Sequence, residues 1–269
     1  MLEVERISCG YAGREILHGV SFSLAAGEMA GVIGPNGSGK TTLLRALSGA
    51  LRFRGTVRLH GRSEDDISPQ ERSRLLAVVS QDHAGMADLT VDECVALGRI
   101  PHQRRLQFFE SAADEAVITT ALAEAGIETL RDRRLSTLSG GERQLVFIAQ
   151  ALAQEPKILL LDEPVVFLDI YHQVHILELI DRLRRQQKLT VLLVLHDLNL
   201  ASEYCDRLLL LQNGRVRAVG EPAAVLTQAI VSEVYGTPVI ITQNPRSGRP
   251  QVVLDRIGAR IGTNSPPRA

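Results

Sequence analysis

Eight consecutive residues, Gly34-Pro35-Asn36-Gly37-Ser38-Gly39-Lys40-Thr41, constrain this chain more tightly than any others. Two glycines bracket four residues and are followed by Lys and a hydroxyl residue, the pattern of a phosphate loop. Glycines let successive backbone N–H groups turn inward on an anion where a side chain would block it. Lys40 supplies a mobile positive charge for the β- and γ-phosphates of a nucleotide, and Thr41 offers its hydroxyl to Mg²⁺. The flanks demand a particular local fold. Met29-Ala30-Gly31-Val32-Ile33 reads as a short buried strand, and Thr41 to Ser48, closed by Gly49, reads as a helix. Thr42 then lies with Thr41 in the first turn, at the positive end that faces the phosphates.

The rest of the chain supplies a setting for such a loop. Leu2–Ser8, Val20–Ala25 and Thr56–His60 cluster β-formers between glycine turns. From about Val91 to Leu152 the character turns helical, with Ser111–Ala125 rich in Ala and Glu and a second helix through Leu145–Leu152. Strand-like runs return at Lys157–Leu161, Thr190–Leu195 and Leu208–Gln212, separated by the helical spacing of Val174, Ile176, Leu177, Ile180 and Leu183. Strands alternating with helices imply an α/β fold with a parallel sheet, interrupted by a helical insertion. Asn213-Gly214 signals a hairpin turn, and a second hairpin is expected from Val239–Ile241 to Gln251–Leu254. Thr263–Ala269 reads as a disordered end.

Further polar groups stand at the ends of these apolar runs. Ile158-Leu159-Leu160-Leu161 delivers Asp162 and Glu163 to the strand's carboxyl end, where open α/β sheets bind ligands. Asp162 is placed to orient Mg²⁺ through its water shell, and Glu163 to polarise an attacking water as general base. His196, after the apolar Val191–Leu195, is placed to hold the γ-phosphate or that water. Leu138-Ser139-Gly140-Gly141-Glu142 is a second glycine turn opening a helix. It offers a hydroxyl, bare amides and a positive dipole end to an anion, or simply uses Ser139 as an N-cap. Two anion receptors for one nucleotide suggest that a second chain supplies the missing partner.

Composition removes several alternatives. The 269 residues carry a net charge of −1 and are 45% hydrophobic, so bulk charge draws the chain neither to nucleic acid nor to anionic membranes. Arg131–Arg134 reads as a solvated face. Cys9, Cys94 and Cys205 lack metal or redox spacing and read as buried thiols of a reducing compartment. No signal pattern or spanning run is visible, so any membrane association is expected to go through a partner.

Together these residues resemble the nucleotide-binding subunit of ATP-binding cassette transporters, over about Leu2 to Gly236. The phosphate loop at 34–41, Gln81, the LSGGE signature at 138–142, the Asp162-Glu163 strand end and His196 fall in that family's order. The resemblance implies a RecA-like P-loop NTPase core with an N-terminal antiparallel β subdomain and an inserted α-helical subdomain at about 85–155. The cassette would span 1–240, with a hairpin and tail at 241–269. It implies that Tyr11 stacks on adenine, that Gln81 joins Thr41 and Asp162 around Mg²⁺ and takes part in catalysis with Lys40, Glu163 and His196, and that Asp169 is the D-loop aspartate. Two copies would face head-to-tail, each ATP held between Lys40 of one and Ser139, Gly140 and Gly141 of the other.

Finer features are similar to importers of iron–siderophore, haem and cobalamin: Leu89-Thr90-Val91-Asp92-Glu93, Gly98-Arg99-Ile100-Pro101-His102 and Leu168-Asp169-Ile170-Tyr171-His172-Gln173. On that likeness Gln81 and the helical region receive a membrane permease at the cytoplasmic face, an extracytoplasmic binding protein delivers cargo, and no nucleic acid is involved. Two departures stand out. Val165-Val166 replaces the usual Thr or Ser after Glu163-Pro164, which would weaken hydrogen bonding across a dimer. Leu145 replaces a common Arg, a feature of some molybdate- or tungstate-type importers. An exporter subunit shares the same engine, and a soluble ATP-driven clamp is the alternative without a membrane partner.

Overall fold

A computed structural model describes residues 1–80, 88–103 and 111–255. Its strands are β1 (Leu2–Tyr11), β2 (Arg14–Leu24), β3 (Met29–Ile33), β4 (Arg54–Leu59), β5 (Arg62–Ser63), β6 (Leu76–Val79), β7 (Ile158–Leu161), β8 (Thr190–Val194), β9 (Arg207–Gln212), β10 (Arg215–Gly220), β11 (Val239–Gln243) and β12 (Pro250–Leu254). Its helices are α1 (Lys40–Leu47), α2 (Pro69–Leu75), α3 (Val91–Ala96), α4 (Ala112–Ala125), α5 (Gly140–Ala153), α6 (Ile170–Gln187), α7 (Leu198–Tyr204), α8 (Pro222–Val225) and α9 (Gln228–Tyr235).

Two sheets share one core. An antiparallel sheet runs β2-β1-β4-β5, and a second sheet runs β10-β9-β3-β8-β7-β6. In the second, β6, β7, β8, β3 and β9 are all parallel, and only the β9–β10 edge is antiparallel. Its inner strands are largely apolar because both faces are covered. Along each one, alternate residues go to opposite sides. Ala30, Val32, Ile158, Leu160, Leu192, Val194, Leu209 and Leu211 pack towards α1 and the antiparallel sheet. Met29, Ile33, Leu159, Leu161, Val191, Leu193, Leu208 and Leu210 pack on the other side, in the core shared with α4, α5 and α6.

That parallel arrangement brings four strand ends to one edge. Val79 pairs with Leu161, Leu161 with Leu193, and Val32 with Val194. The loop at 34–39, Asp162-Glu163 and Leu195-His196 therefore leave the sheet side by side. Four helices begin with reciprocal caps: Ser68 with Glu71, Thr90 with Glu93, Ser111 with Asp114, and Ser139 with Glu142. Both expected hairpins are present. Asn213 and Gly214 take φ of 49° and 72° between β9 and β10, as such a tight turn requires, and β11 pairs with β12 from Val239↔Leu254 to Gln243↔Pro250. Thr263–Ala269 lies outside the described residues, as does Gln81. The three thiols are buried and unbridged, and burial raises Cys94 to about 11. Among the described residues no helix is long and apolar enough to cross a membrane.

Candidate functional site

Gly39 sits in the left-handed region at φ 104° and opens α1, whose N-terminus no described side chain caps. The contrast with the capped helices α3, α4 and α5 is chemical: the first N–H groups of α1 have no side-chain acceptor among the described residues, an arrangement suited to an anion. Gly34 is fixed by sterics, since at φ 145° any Cβ would collide with the Leu211 carbonyl. Ser38 is 2% exposed, and its hydroxyl has no hydrogen-bond partner among the described residues. An orphaned buried hydroxyl in a turn of bare amides fits a phosphate oxygen.

Lys40 is itself buried, 6% exposed, and donates to the carbonyls of Gly34 and Pro35 at 2.9 and 3.2 Å. Burial pulls its pKa below the ordinary lysine value, partly offset by Glu163 and Asp162. Thr41 Oγ1 donates to Asp162 Oδ1 over 3.4 Å. These two hard oxygen donors suit Mg²⁺, which takes few protein ligands and keeps waters. Burial, and then the neighbouring Glu163, push the Asp162 carboxyl above the usual aspartate range.

Glu163 holds φ at 54°, a costly conformation for a residue with a Cβ. It turns the side chain towards His196, whose Nε2 lies 2.5 Å from Glu163 Oε1. A carboxylate only accepts, so this pairing needs the proton on Nε2. Tyr11 ends β1, is 40% exposed, and accepts at its hydroxyl from Arg45 Nη1 at 3.4 Å. Arg45, on α1, escaped the sequence reading because a helix-surface Arg carries no motif. Tyr235 did too. Burial lifts its phenol to about 12, while a hydrogen bond from the backbone of Gly34 acts the other way.

The second glycine turn forms a separate cluster. Ser139 caps α5 by accepting from Glu142 N. Asp169 caps α6, and Asp169 Oδ1 also lies 2.8 Å from His172 Nδ1. The His172 ring packs so closely on Gly141 that a Cβ there would collide with it. No hydrogen bond among the described residues joins Ser139 or Asp169 to the Lys40 cluster. Val165 is 6% and Leu145 8% exposed. Both departures thus place apolar side chains in the core.

The comparisons with known proteins agree with this geometry. Residues 17–166 match the ABC transporter family model. The chain is 39% identical to the ferric enterobactin transport ATP-binding protein FepC of Escherichia coli, covering 94% of this chain and 93% of that one. It is 42% identical to the hemin import ATP-binding protein HmuV of Pseudomonas putida, covering 94% and 99%. It spans only 58% of the length of a further relative, the ABC transporter ATP-binding protein YvrA of Bacillus subtilis, at 39% identity. An inward-facing ABC transporter assigned to the metal-chelate type superposes with a TM-score of 0.81 at 28% identity, covering 94% of this chain and 96% of that one. An α/β P-loop fold, an uncapped glycine loop beside paired carboxylates, and this breadth of similarity lead to one conclusion: the chain belongs to the ABC transporter family.

Proposed function

We propose that this chain is the ATP-hydrolysing subunit of a membrane importer for a metal-chelate type cargo, such as an iron–siderophore, haem or cobalamin. The observation that carries the enzymatic part is the Glu163–His196 pair, 2.5 Å apart at two adjacent strand ends beside Lys40. A carboxylate fixed by its own backbone beside a phosphate loop is placed to take a proton from water attacking the γ-phosphate. His196 orients that carboxylate and the water. Lys40 leaves its two carbonyl partners for the β- and γ-phosphates, and the α1 amides and Ser38 take further oxygens. Tyr11 offers its face to adenine. Thr41 and Asp162 would hold Mg²⁺, which supplies charge neutralisation at the phosphates. Gln81, assigned to the same task, lies outside the described residues.

The separation of the Ser139–Asp169 cluster from Lys40 supports a head-to-tail homodimer in which the opposing α5 amino terminus completes each site. The ATP would then hold the pair together, and its hydrolysis would release them. The likeness to FepC and HmuV supports the cargo class, and the proposal adds a permease partner, a binding protein beyond it and a place at the cytoplasmic face of the membrane. Glu163→Gln tests the core of the proposal. ATP should still bind, and turnover should fall about 100-fold or more, the usual scale of general-base catalysis. Wild-type turnover in this variant would remove Glu163 from its role.

A further inference from the structure

His196 leads directly into α7, a helix of seven residues, too short to be stable without outside support. Its first turn is held by Asp197, whose carboxylate accepts from Asn199 N and Leu200 N at 2.7 and 3.0 Å. Its other supports come from the β11–β12 hairpin, about fifty residues downstream. Arg249 Nη1 donates to the carbonyls of Ser202 and Cys205, both at 2.6 Å. A guanidinium there also meets the negative end of the helix. Ser202, fully buried, donates its hydroxyl to the Pro250 carbonyl at 2.7 Å.

Asn199 binds the strand edge through both ends of its amide, accepting from Val252 N at 2.7 Å and donating to Val252 O at 3.3 Å. Glu203 accepts from Asn244 Nδ2 and Ser247 Oγ at 3.3 and 3.0 Å. Polar bonds from the hairpin thus reach the first turn, the middle and the carboxyl end of α7. The helix that follows His196 is therefore tied to the hairpin along its whole length.

We propose that the β11–β12 hairpin is a positioning device for nucleotide hydrolysis, with Arg249 and Asn199 as positioning residues that hold α7 and thereby seat His196 against Glu163. The inference rests on the hydrolytic reading above. It adds that the carboxyl-terminal hairpin acts on the chemical step and not on ATP capture, because no hairpin residue hydrogen-bonds the 34–42 loop among the described residues.

The test uses the full chain, with steady-state ATPase kinetics and the melting temperature of the nucleotide-free protein. Arg249→Ala and Asn199→Ala should each lower kcat about tenfold or more, since small misplacements of catalytic groups carry large rate costs. The KM for ATP should stay within about twofold. Arg249→Lys, which keeps the positive charge and carries three N–H donors on one nitrogen, should recover kcat to within about threefold of wild type. Ser202→Ala provides a second route to loosening the clamp should Arg249→Ala fold poorly. Unchanged kcat in Arg249→Ala and Asn199→Ala, or in Ser202→Ala and Asn199→Ala where Arg249→Ala does not fold, would overturn the proposal. So would a joint fall of kcat and ATP affinity that tracks the melting temperature, because that marks a general loss of fold. Absence of ATP turnover in the wild-type chain would instead overturn the hydrolytic reading.

Discussion

Asp162 shows how the site trades stability for chemistry at a single residue. It is 9% exposed, hydrogen-bonded by Thr41, and held beside the Glu163 carboxylate. Its native pKa lies above the ordinary value of 3.8, with burial as the largest cause and Glu163 next. The folded state therefore favours the protonated form more than the unfolded chain does. That contribution to stability is fully present below the unfolded pKa and is lost as pH rises through the raised native one. At neutral pH the ionised carboxylate is a burden on the nucleotide-free fold. Asp162→Asn should raise the melting temperature of that form by about 2–4 °C and abolish most Mg²⁺-dependent turnover. Differential scanning calorimetry with a parallel ATPase assay checks both, and a melting temperature that falls would refute the argument.

At the scale of elements, a buried cation ties together described helices between β6 and β7. Arg99 is 6% exposed. Its Nε lies 3.0 Å from Asp114 Oδ1 on α4, and its Nη1 donates to the Ala153 carbonyl at the end of α5 and to Glu155 at 2.6 and 2.7 Å. Asp114 also closes the α4 cap by accepting from Ser111. Removing the guanidinium would take the charged partner at Nε from the buried Asp114 carboxylate, and breaking a buried ion pair typically costs about 3–5 kcal/mol. Arg99→Ala should lower stability by about that amount in urea denaturation, whereas a loss under about 1 kcal/mol would show the pair to be dispensable.

The sequence contained Arg99 within a motif but not its burial. Charge in a chain predicts exposure, and only the packed partners reverse that. The phosphate loop, the apolar strands and their terminal carboxylates were legible because short-range pattern dictates each. The β6 strand, α7, α9 and the Arg249 bonds were not. Their signals are short, or depend on groups as distant as Arg249 and Ser202, separated by 47 residues. The same limit hid the contact of His172 with Gly141, which joins two segments 31 positions apart (172 − 141).

For the whole molecule, the decisive question is whether one chain holds a complete site. Lys40, Thr41, Asp162, Glu163 and His196 gather at one sheet edge, while Ser139 and Asp169 belong to the amino ends of α5 and α6. If a second copy supplies the latter, Lys40→Ala and Ser139→Arg must each inactivate both sites of their own homodimers. A heterodimer of the two variants is different: one site carries both lesions and the other carries neither. In a freely exchanging equimolar mixture, half of the dimers are mixed and each has one intact site, so about a quarter of all sites are whole. ATPase activity should thus reappear on mixing two inactive preparations, approaching about that fraction of wild type if the sites act independently. A site built within a single chain would stay silent at every mixing ratio, because both variants would remain individually dead.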